Sequence, residues 1–328
     1  MTAQLVHPPQ SAVTARRALL TTALGRYYLQ LALVVELIVL AAVVPNFGST
    51  QNLRSIALQG SFAGIVACGE TLLIAGGLFD LSVAGLMALG AIATAYALPH
   101  VPAFVALLAG LGVSTAAGLA NGLIVTRIRV PTFIATLGMM NVCLAIAFIW
   151  THGDVVIVTS PFVVQFANGT ILGLPIVFVV FAAICVAGYA LLQRTYFGRT
   201  MRAIGSSEAA ATMAGLPIVR TKVLGFAISG LLAGVAAVAL SGLLSTASGD
   251  MAMGYELSAI AVAVVGGTAL SGGRGTFLGT FTGALFFATL DDALNLLNVA
   301  SYWQHVVAGG LLVLALALGA SATRGTDA

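Results

Sequence analysis

Long apolar runs alternate with short polar connections along almost the whole sequence. A helix needs about 20 apolar residues to cross the hydrocarbon core of a bilayer, and lipid offers no partner for an unpaired backbone group. The pattern therefore predicts an all-α polytopic membrane protein, whereas a barrel would show short alternating strands. Ten spans are predicted, at residues 28–45, 56–76, 80–98, 102–125, 131–151, 171–192, 222–244, 256–271, 275–291 and 303–320.

Two apolar runs are interrupted by glycine pairs. In "GETLLIAGGLFDLSVAGLMALG", we predict that a helix ends at Gly76 and Gly77 and that another begins near Asp80, with Asp80 or Ser82 as its cap. This break is either a tight turn at the cytoplasmic face or a broken helix that lines a translocation path. The stretch "VVGGTALSGGRGTFLGTF", residues 264–281, has a similar composition and hints at an internal repeat.

The longest polar connection, residues 193–222, contains "RAIGSSEAAATMAGLPIVRTK". Ser206 or Ser207 can cap a helix there, and Gly215 followed by Pro217 would stop it. The predicted helix is too short to be stable alone and presents a face of small side chains. Such a face suits docking into a groove of another protein. The alternative is an ordinary structured loop that lies along the membrane.

The distribution of basic residues predicts the orientation. Inner loops of membrane proteins carry an excess of Lys and Arg. With a cytoplasmic N-terminus, only Arg54 falls on an outer segment, and ten spans place both termini inside. The inner segments then contain Arg16, Arg17, Arg26, Arg127, Arg129, Arg194, Arg199, Arg202, Arg220, Lys222, Arg274 and Arg324.

The same pattern divides the chain into a membrane domain at 28–320 and two cytoplasmic tails, at 1–27 and 321–328. The N-terminal tail is expected to be partly disordered, although "SAVTARRALLTTALGR" could form a short interfacial helix.

The composition agrees with this class and excludes others. Sixty per cent of residues are hydrophobic and 7% are charged, against about 25% charged residues in soluble domains. A net charge of +3 gives no indication of nucleic-acid binding. No phosphate-binding loop, zinc-protease motif or nucleophile elbow is present, so no catalytic residue is assigned.

Few residues within the predicted spans are candidates for chemistry. Cys68, Cys143 and Cys185 match no disulfide or metal pattern, so no metal site is predicted. Glu36 and Glu70 should face the bundle interior, although Glu70 could stay hydrated if it lies near the cytoplasmic interface. A proton relay is disfavoured because no basic residue falls within a predicted span.

Four motifs together resemble one family. "EAAATMAGLP" resembles the E-A-A…G loop of ATP-binding-cassette (ABC) importer permeases. "AGGLFDLSVAG", "NGLIVTRIRVPTFIATLGMM", "FGRTMRAIGSSEAAATMAGLP" and "VVGGTALSGGRGTFLGT" resemble the ribose, xylose, arabinose and galactose branch, from about residue 50 to 320. The resemblance implies a coupling helix near 207–215 that contacts an ATPase, with the coupling residues Gly205, Glu208, Ala209, Ala210, Gly215 and Leu216.

The resemblance also implies the partners of the chain. They are a cytoplasmic ABC ATPase that holds ATP and Mg²⁺, a periplasmic substrate-binding protein, and a second permease subunit that is identical or related. No cofactor is expected on this chain, and its remaining surface meets lipid. Candidates for the pathway of a sugar or similar solute are Gly76, Gly77, Asp80, Ser82 and Asn141.

The sequence departs from the family pattern in two places, and two other functions stay open. "GGLFDLSVAG" has one residue more before its aspartate than the usual form, with Ala84 in place of glycine, and "DDALNLL" has acids where the family often has asparagine. One alternative is an ion-coupled secondary transporter. The other is a permease of the branched-chain amino-acid branch, against which "FDLS" and "SGGRGT" favour the sugar branch.

Overall fold

The computed structural model describes residues 10–300, 303, 306, 307, 309 and 310, with side chains described from residue 27. This part of the chain is mostly helical. Its helices are α1 (Gln10–Val43), α2 (Thr50–Ala75), α3 (Val83–Ala97), α4 (Ala103–Leu123), α5 (Thr132–Thr151), α6 (Pro161–Asn168), α7 (Ile176–Arg194), α8 (Tyr196–Ser206), α9 (Glu208–Met213), α10 (Ile218–Leu244), α11 (Tyr255–Val265) and α12 (Phe277–Leu296).

Four two-residue strands join the loops between these helices. Strand β1 (Val156–Ile157) pairs antiparallel with β4 (Thr246–Ala247), and β2 (Thr170–Ile171) pairs antiparallel with β3 (Leu174–Pro175). The strands are too short to form a layer of their own, so the fold is a helical bundle.

Within the described residues, six helices are long and apolar enough to cross a membrane: α2, α4 with its π-helical extension to Ile128, α5, α7, α10 and α12. Three shorter apolar helices are Tyr27–Val43, α3 and α11. These nine helices lie at the positions of the first nine predicted spans, although only six of them are long enough to cross a membrane. The prediction of an all-α polytopic membrane protein is confirmed. The tenth predicted span, 303–320, lies almost entirely outside the described residues.

Several boundaries differ from the predicted ones. Helix α1 begins at Gln10, inside the segment expected to be partly disordered, and its backbone leaves helical geometry at Tyr27. Helix α8 occupies the polar connection, where the sequence predicted only one short helix. Helix α11 ends at Val265 rather than near 271, because Gly267 adopts a φ of +90° that breaks the helix.

Helix α2 is the centre of the bundle. Every residue from Gly64 to Ala75 is buried, and the helix packs against α10, α12, α11 and α7. Small residues permit these close crossings, since lipid provides no hydrophobic drive for helix association. A Cβ atom at Gly118 of α4, for example, would lie 3.1 Å from the Cα atom of Gly230 on α10.

The bundle has two distinct ends. We call the "loop end" the one that holds α8, α9, the last residues of α2 and α11, and the first residues of α3, α10 and α12. The "far end" holds the first residues of α2 and α11 and the last residues of α10 and α12. This polarity places eight basic residues at the loop end, namely Arg127, Arg129, Arg194, Arg199, Arg202, Arg220, Lys222 and Arg274, and Arg54 at the far end.

Candidate functional site

Helix α9 is a six-residue helix at the loop end, within the region 207–215 where the sequence predicted one. Ser207 caps it, because its side-chain oxygen accepts the backbone N–H of Ala210 at 3.2 Å. Gly215 has a φ of +69°, a conformation that favours glycine, and it ends the segment before α10 starts at Ile218. The local signals in the sequence therefore placed this helix correctly.

An ion pair fastens α9 to α10. The Nζ atom of Lys222 lies 2.8 Å from both carboxylate oxygens of Glu208. Lys222 is buried, and it is the one lysine of the chain. From the sequence, Lys222 was predicted only to be one of the basic residues on the inner side. The one signal for its pairing with Glu208 was that the single lysine of the chain follows this acid by 14 residues.

One face of α9 is uncovered. Ala209, Ala210 and Thr212 are exposed, and Met213 has 84% of its surface accessible. Ala211 points inward and is buried. The surface therefore consists of small, weakly polar side chains, and the Met213 side chain projects from it. Nothing in the described part of the chain covers it.

Gly205 lies where three segments of the loop end meet. A Cβ atom there would clash with the carbonyl oxygen of Ala75 and lie 2.6 Å from the Gly273 nitrogen. The Gly273 N–H itself donates to the Ala75 carbonyl at 2.9 Å. We call this contact, formed by residues 75–77, 205 and 272–273, the glycine junction. It brings the end of α8, just before α9, against both glycine interruptions that the sequence singled out.

The break after α2 leads into a buried polar cluster. Helix α3 begins at Val83, three residues after Asp80, with Ser82 in its N-cap position, and Asp80 is fully buried. Its carboxylate accepts hydrogen bonds from the Ser82 N–H at 3.0 Å, from the Ser82 hydroxyl and from the Ser229 hydroxyl at 3.0 Å. The Asn121 amide donates to the Ser82 hydroxyl at 2.7 Å. Asp80 thus ties α3, α4 and α10 together.

Glu70 lies beside this cluster. The prediction that it faces the bundle interior is confirmed, and the alternative that it stays hydrated near the cytoplasmic interface is wrong. Glu70 is fully buried, and its Oε2 atom accepts the Asp80 N–H at 3.4 Å. Its Oε1 atom has no hydrogen-bond partner in the described part of the chain. Glu36 is partly buried on α1, which packs against α12.

The structure brings together some of the predicted pathway residues. Gly76 and Gly77 belong to the glycine junction, while Asp80 and Ser82 belong to the polar cluster next to it. Asn141 is separate, since it lies on an exposed face of α5 and donates to the Leu137 carbonyl of its own helix at 2.9 Å. The assignment of these residues to a solute pathway stays a prediction.

A cavity of about 560 Å³ opens near the far end, between α2, α10, α11 and α12. No pattern in the sequence predicted it. The polar side chains on its wall come from α2, α11 and α12, and they are Ser55, Gln59, Tyr255, Ser258 and Asp291. Of these, only Ser55 and Gln59 show a helical spacing of four residues in the sequence.

A multi-pass bundle with broken helices and a short exposed helix on a basic loop defines an integral membrane transport component. Residues 52–316 match the family described as "Branched-chain amino acid transport system / permease component". The chain belongs to this family and is a multi-pass permease of the inner membrane.

The chain is similar to several sugar permeases. It is 37% identical over 291 residues to the ribose import permease protein RbsC of Escherichia coli (strain K12), which covers 87% of this chain and 91% of that one. It is 35% identical over 299 residues to the L-arabinose transport system permease protein AraH of the same organism, covering 89% and 90%. The L-arabinose ABC transporter permease protein AraH of Azospirillum brasilense is 33% identical over 279 residues, covering 84% and 82%. No solved structure matches the chain.

Proposed function

We propose that this chain is the membrane-spanning subunit of an ABC importer for a sugar or a similar small polar solute. A periplasmic binding protein delivers the solute, and a cytoplasmic ATPase that holds ATP and Mg²⁺ drives transport. A second permease subunit, identical or related, completes the pathway. The observation that carries the proposal is α9, which is held from inside by Ser207 and Lys222 while its small-residue face is uncovered.

The orientation follows from the charges. Eight basic residues at the loop end against Arg54 at the far end favour a cytoplasmic loop end. The tenth span and cytoplasmic termini are part of this proposal. In this orientation α9 faces the compartment that contains ATP, and the cavity faces the binding protein.

The glycine junction suggests how movement of α9 reaches the membrane domain. Gly205 is the next-to-last residue of α8, three residues before α9 begins, and contacts the backbone at the end of α2 and in the loop between α11 and α12. Closure of the ATPases would displace α8 and α9. The junction would pass this displacement to α2, α11 and α12, which line the cavity together with α10. The chain itself carries out no hydrolysis in this scheme.

Of the two alternatives, neither is favoured. The family description mentions branched-chain amino acids, but the relatives described above are ribose and arabinose permeases. An ion-coupled transporter has no need of an uncovered α9 or of its fastening to α10.

The proposal is tested at Glu208 by a charge swap. We expect Glu208→Lys to abolish ATP-driven uptake and to weaken co-purification with the ATPase, because the residue lies on the docking helix and its reversal also faces Lys222. The double variant Glu208→Lys/Lys222→Glu restores an internal ion pair but not the surface charge. We therefore expect it to recover folding, measured by thermal stability, without recovering uptake.

A matched control is Asp154→Lys, which makes the same charge change at an exposed far-end position. It should leave co-purification with the ATPase unchanged. Full recovery of uptake by the double variant would show that Glu208 acts only through Lys222, and normal co-purification and uptake by Glu208→Lys alone would refute the docking role.

A further inference from the structure

We propose that the far-end cavity is a binding site of this permease for an uncharged, polyhydroxylated solute such as a sugar or polyol. This inference rests on the proposed function, since it identifies where the solute enters the membrane domain and which chemistry the wall accepts. It concerns Ser55, Gln59, Tyr255, Ser258 and Asp291, which lie far from the residues that sequence motifs select.

The shape of the cavity fits a small ligand. Its volume of about 560 Å³ falls within the range of roughly 300–1,000 Å³ that is usual for small-molecule sites. Four helices from separate parts of the chain form it, so its wall is built from rigid elements. Gly60 on α2 permits the close packing behind it, because a Cβ atom there would lie 3.0 Å from the Ala288 side chain on α12.

The wall combines hydrogen-bonding groups with apolar surface. Gln59 and Ser258 are exposed although they lie on apolar helices, which is explained if they face an aqueous cavity. The Gln59 amide donates to the Ser55 hydroxyl at 2.9 Å, which leaves its carbonyl oxygen and its other N–H to contact a ligand. Phe62 and Phe287 provide apolar surface on the same wall. Sugars present both hydroxyls and apolar C–H faces.

The charges on the wall select against anions. Among the residues that the structure describes, the lining includes Asp291 and contains no Lys, Arg or His. The N-terminus of α11 also reaches the cavity, and a helix N-terminus ordinarily attracts anions. Here the Glu256 carboxylate already accepts the Gly254 N–H at 3.0 Å. A free amino acid would therefore bring its carboxylate to a described wall that carries Asp291 and no cation, next to a helix N-terminus that Glu256 already occupies.

Two cavity helices connect this site to the glycine junction. Helix α2 runs from Gln59 at the cavity to Ala75 at the junction, a distance of about 24 Å at 1.5 Å per residue. Helix α11 runs from Tyr255 at the cavity to Val265, seven residues before Gly272 of the junction. A displacement at the junction therefore reaches the α2 wall of the cavity directly and the α11 wall through the loop that follows α11, which suits a site that must release its ligand on each transport cycle.

The first test measures solute binding to the purified permease in nanodiscs, without ATPase or binding protein. Saturation-transfer NMR detects weak ligands, and the probes are ribose, arabinose, a polyol, leucine and a sugar acid. We expect saturable transfer to the neutral polyhydroxylated compounds and none to leucine or the sugar acid. Gln59→Leu should weaken sugar binding about fivefold through the loss of one to two hydrogen bonds, whereas Gln165→Leu on α6 should not change it. Absence of transfer to every neutral probe, or equal transfer to leucine, would overturn the proposal.

A second test does not depend on the folding of the Gln59 variant. Ser258→Cys places a thiol on the cavity wall, and a membrane-impermeant thiol reagent should label it more slowly when sugar is present. Leu172→Cys, at a position with 98% exposure outside the cavity, should be labelled at the same rate with and without sugar. No protection of Ser258→Cys would count against the site. Both assays use the chain alone, so a failure here is distinguishable from a failure of ATPase coupling at Glu208.

Discussion

At the scale of single residues, Asp80 and Glu70 show that two buried acids of one site can have opposite roles. The Asp80 carboxylate accepts hydrogen bonds from Ser82 and Ser229 and is fully satisfied. Glu70 has one long hydrogen bond and an oxygen without a partner in the described chain. A buried charge is stabilising only where it is paired or well hydrogen-bonded. We infer that Asp80 stabilises the break after α2 and that a charge on Glu70 does not.

This difference predicts contrasting effects of two isosteric substitutions. Asp80→Asn can keep an oxygen for Ser82 but replaces the oxygen that accepts the Ser229 hydroxyl by an NH2 donor, and losing a buried hydrogen bond to a charged group costs about 1.5–3 kcal/mol. Glu70→Gln keeps the shape and removes a carboxylate next to Asp80, so it should leave stability unchanged or raise it. Thermal unfolding of the two purified variants is the measurement. A larger loss of stability in Glu70→Gln than in Asp80→Asn would contradict the assignment.

The sequence revealed these residues but not their partners. The glycine pair and "DLS" made the break predictable, because the conformational freedom of glycine is a local property. The partners of Asp80 lie 149 residues away at Ser229 and 41 residues away at Asn121. No local pattern specifies such pairings. Of the two predicted caps, Ser82 holds the N-cap position of α3 without a capping hydrogen bond from its side chain, while Asp80 lies at the break, two residues before it.

At the scale of elements, the glycine junction joins α8 to the end of α2 and to the loop between α11 and α12. It depends on backbone-to-backbone contact at Gly205, where a side chain has no room. The sequence placed Gly205 among the residues that contact an ATPase. The structure shows it packed inside the chain, and its part in coupling is a proposal that rests on this contact.

We expect Gly205→Ala to uncouple the transporter, because the added methyl group meets backbone atoms of Ala75 and Gly273 and must push the segments apart. ATP hydrolysis by the assembled complex should persist while solute uptake falls. The matched control is Gly138→Ala on α5, where a Cβ atom meets nothing within 4 Å and alanine should stabilise the helix by about 0.5–1 kcal/mol. Equal uptake by the two variants would remove the junction from the mechanism.

Elements were predictable to the extent that their signals were local. Nine apolar helices and α9 follow from hydrophobic runs, a capping serine and glycine stops. Helix α8 was missed because its arginines and glycine made the segment read as a polar connection. The ion pair between α9 and α10 was missed because it depends on where α10 begins, at Ile218 rather than at Lys222.

At the scale of the whole molecule, the two ends of the bundle have different chemistry. The loop end is basic, carries α9 and contains the glycine junction. The far end holds the cavity, whose polar wall comes from helices that are distant in sequence. The class of protein was predictable because membrane composition and family motifs are properties of the sequence. The cavity was not, because it exists only where α2, α10, α11 and α12 meet.

The central claim is that transport by this chain is driven by a separate ATPase. The direct measurement is sugar uptake into proteoliposomes that contain the chain with its ATPase and binding protein, compared with liposomes that contain the chain alone under an ion gradient. We expect uptake only in the complete system with ATP and Mg²⁺, and no effect of an uncoupler. Uptake by the chain alone that collapses on addition of an uncoupler would contradict it.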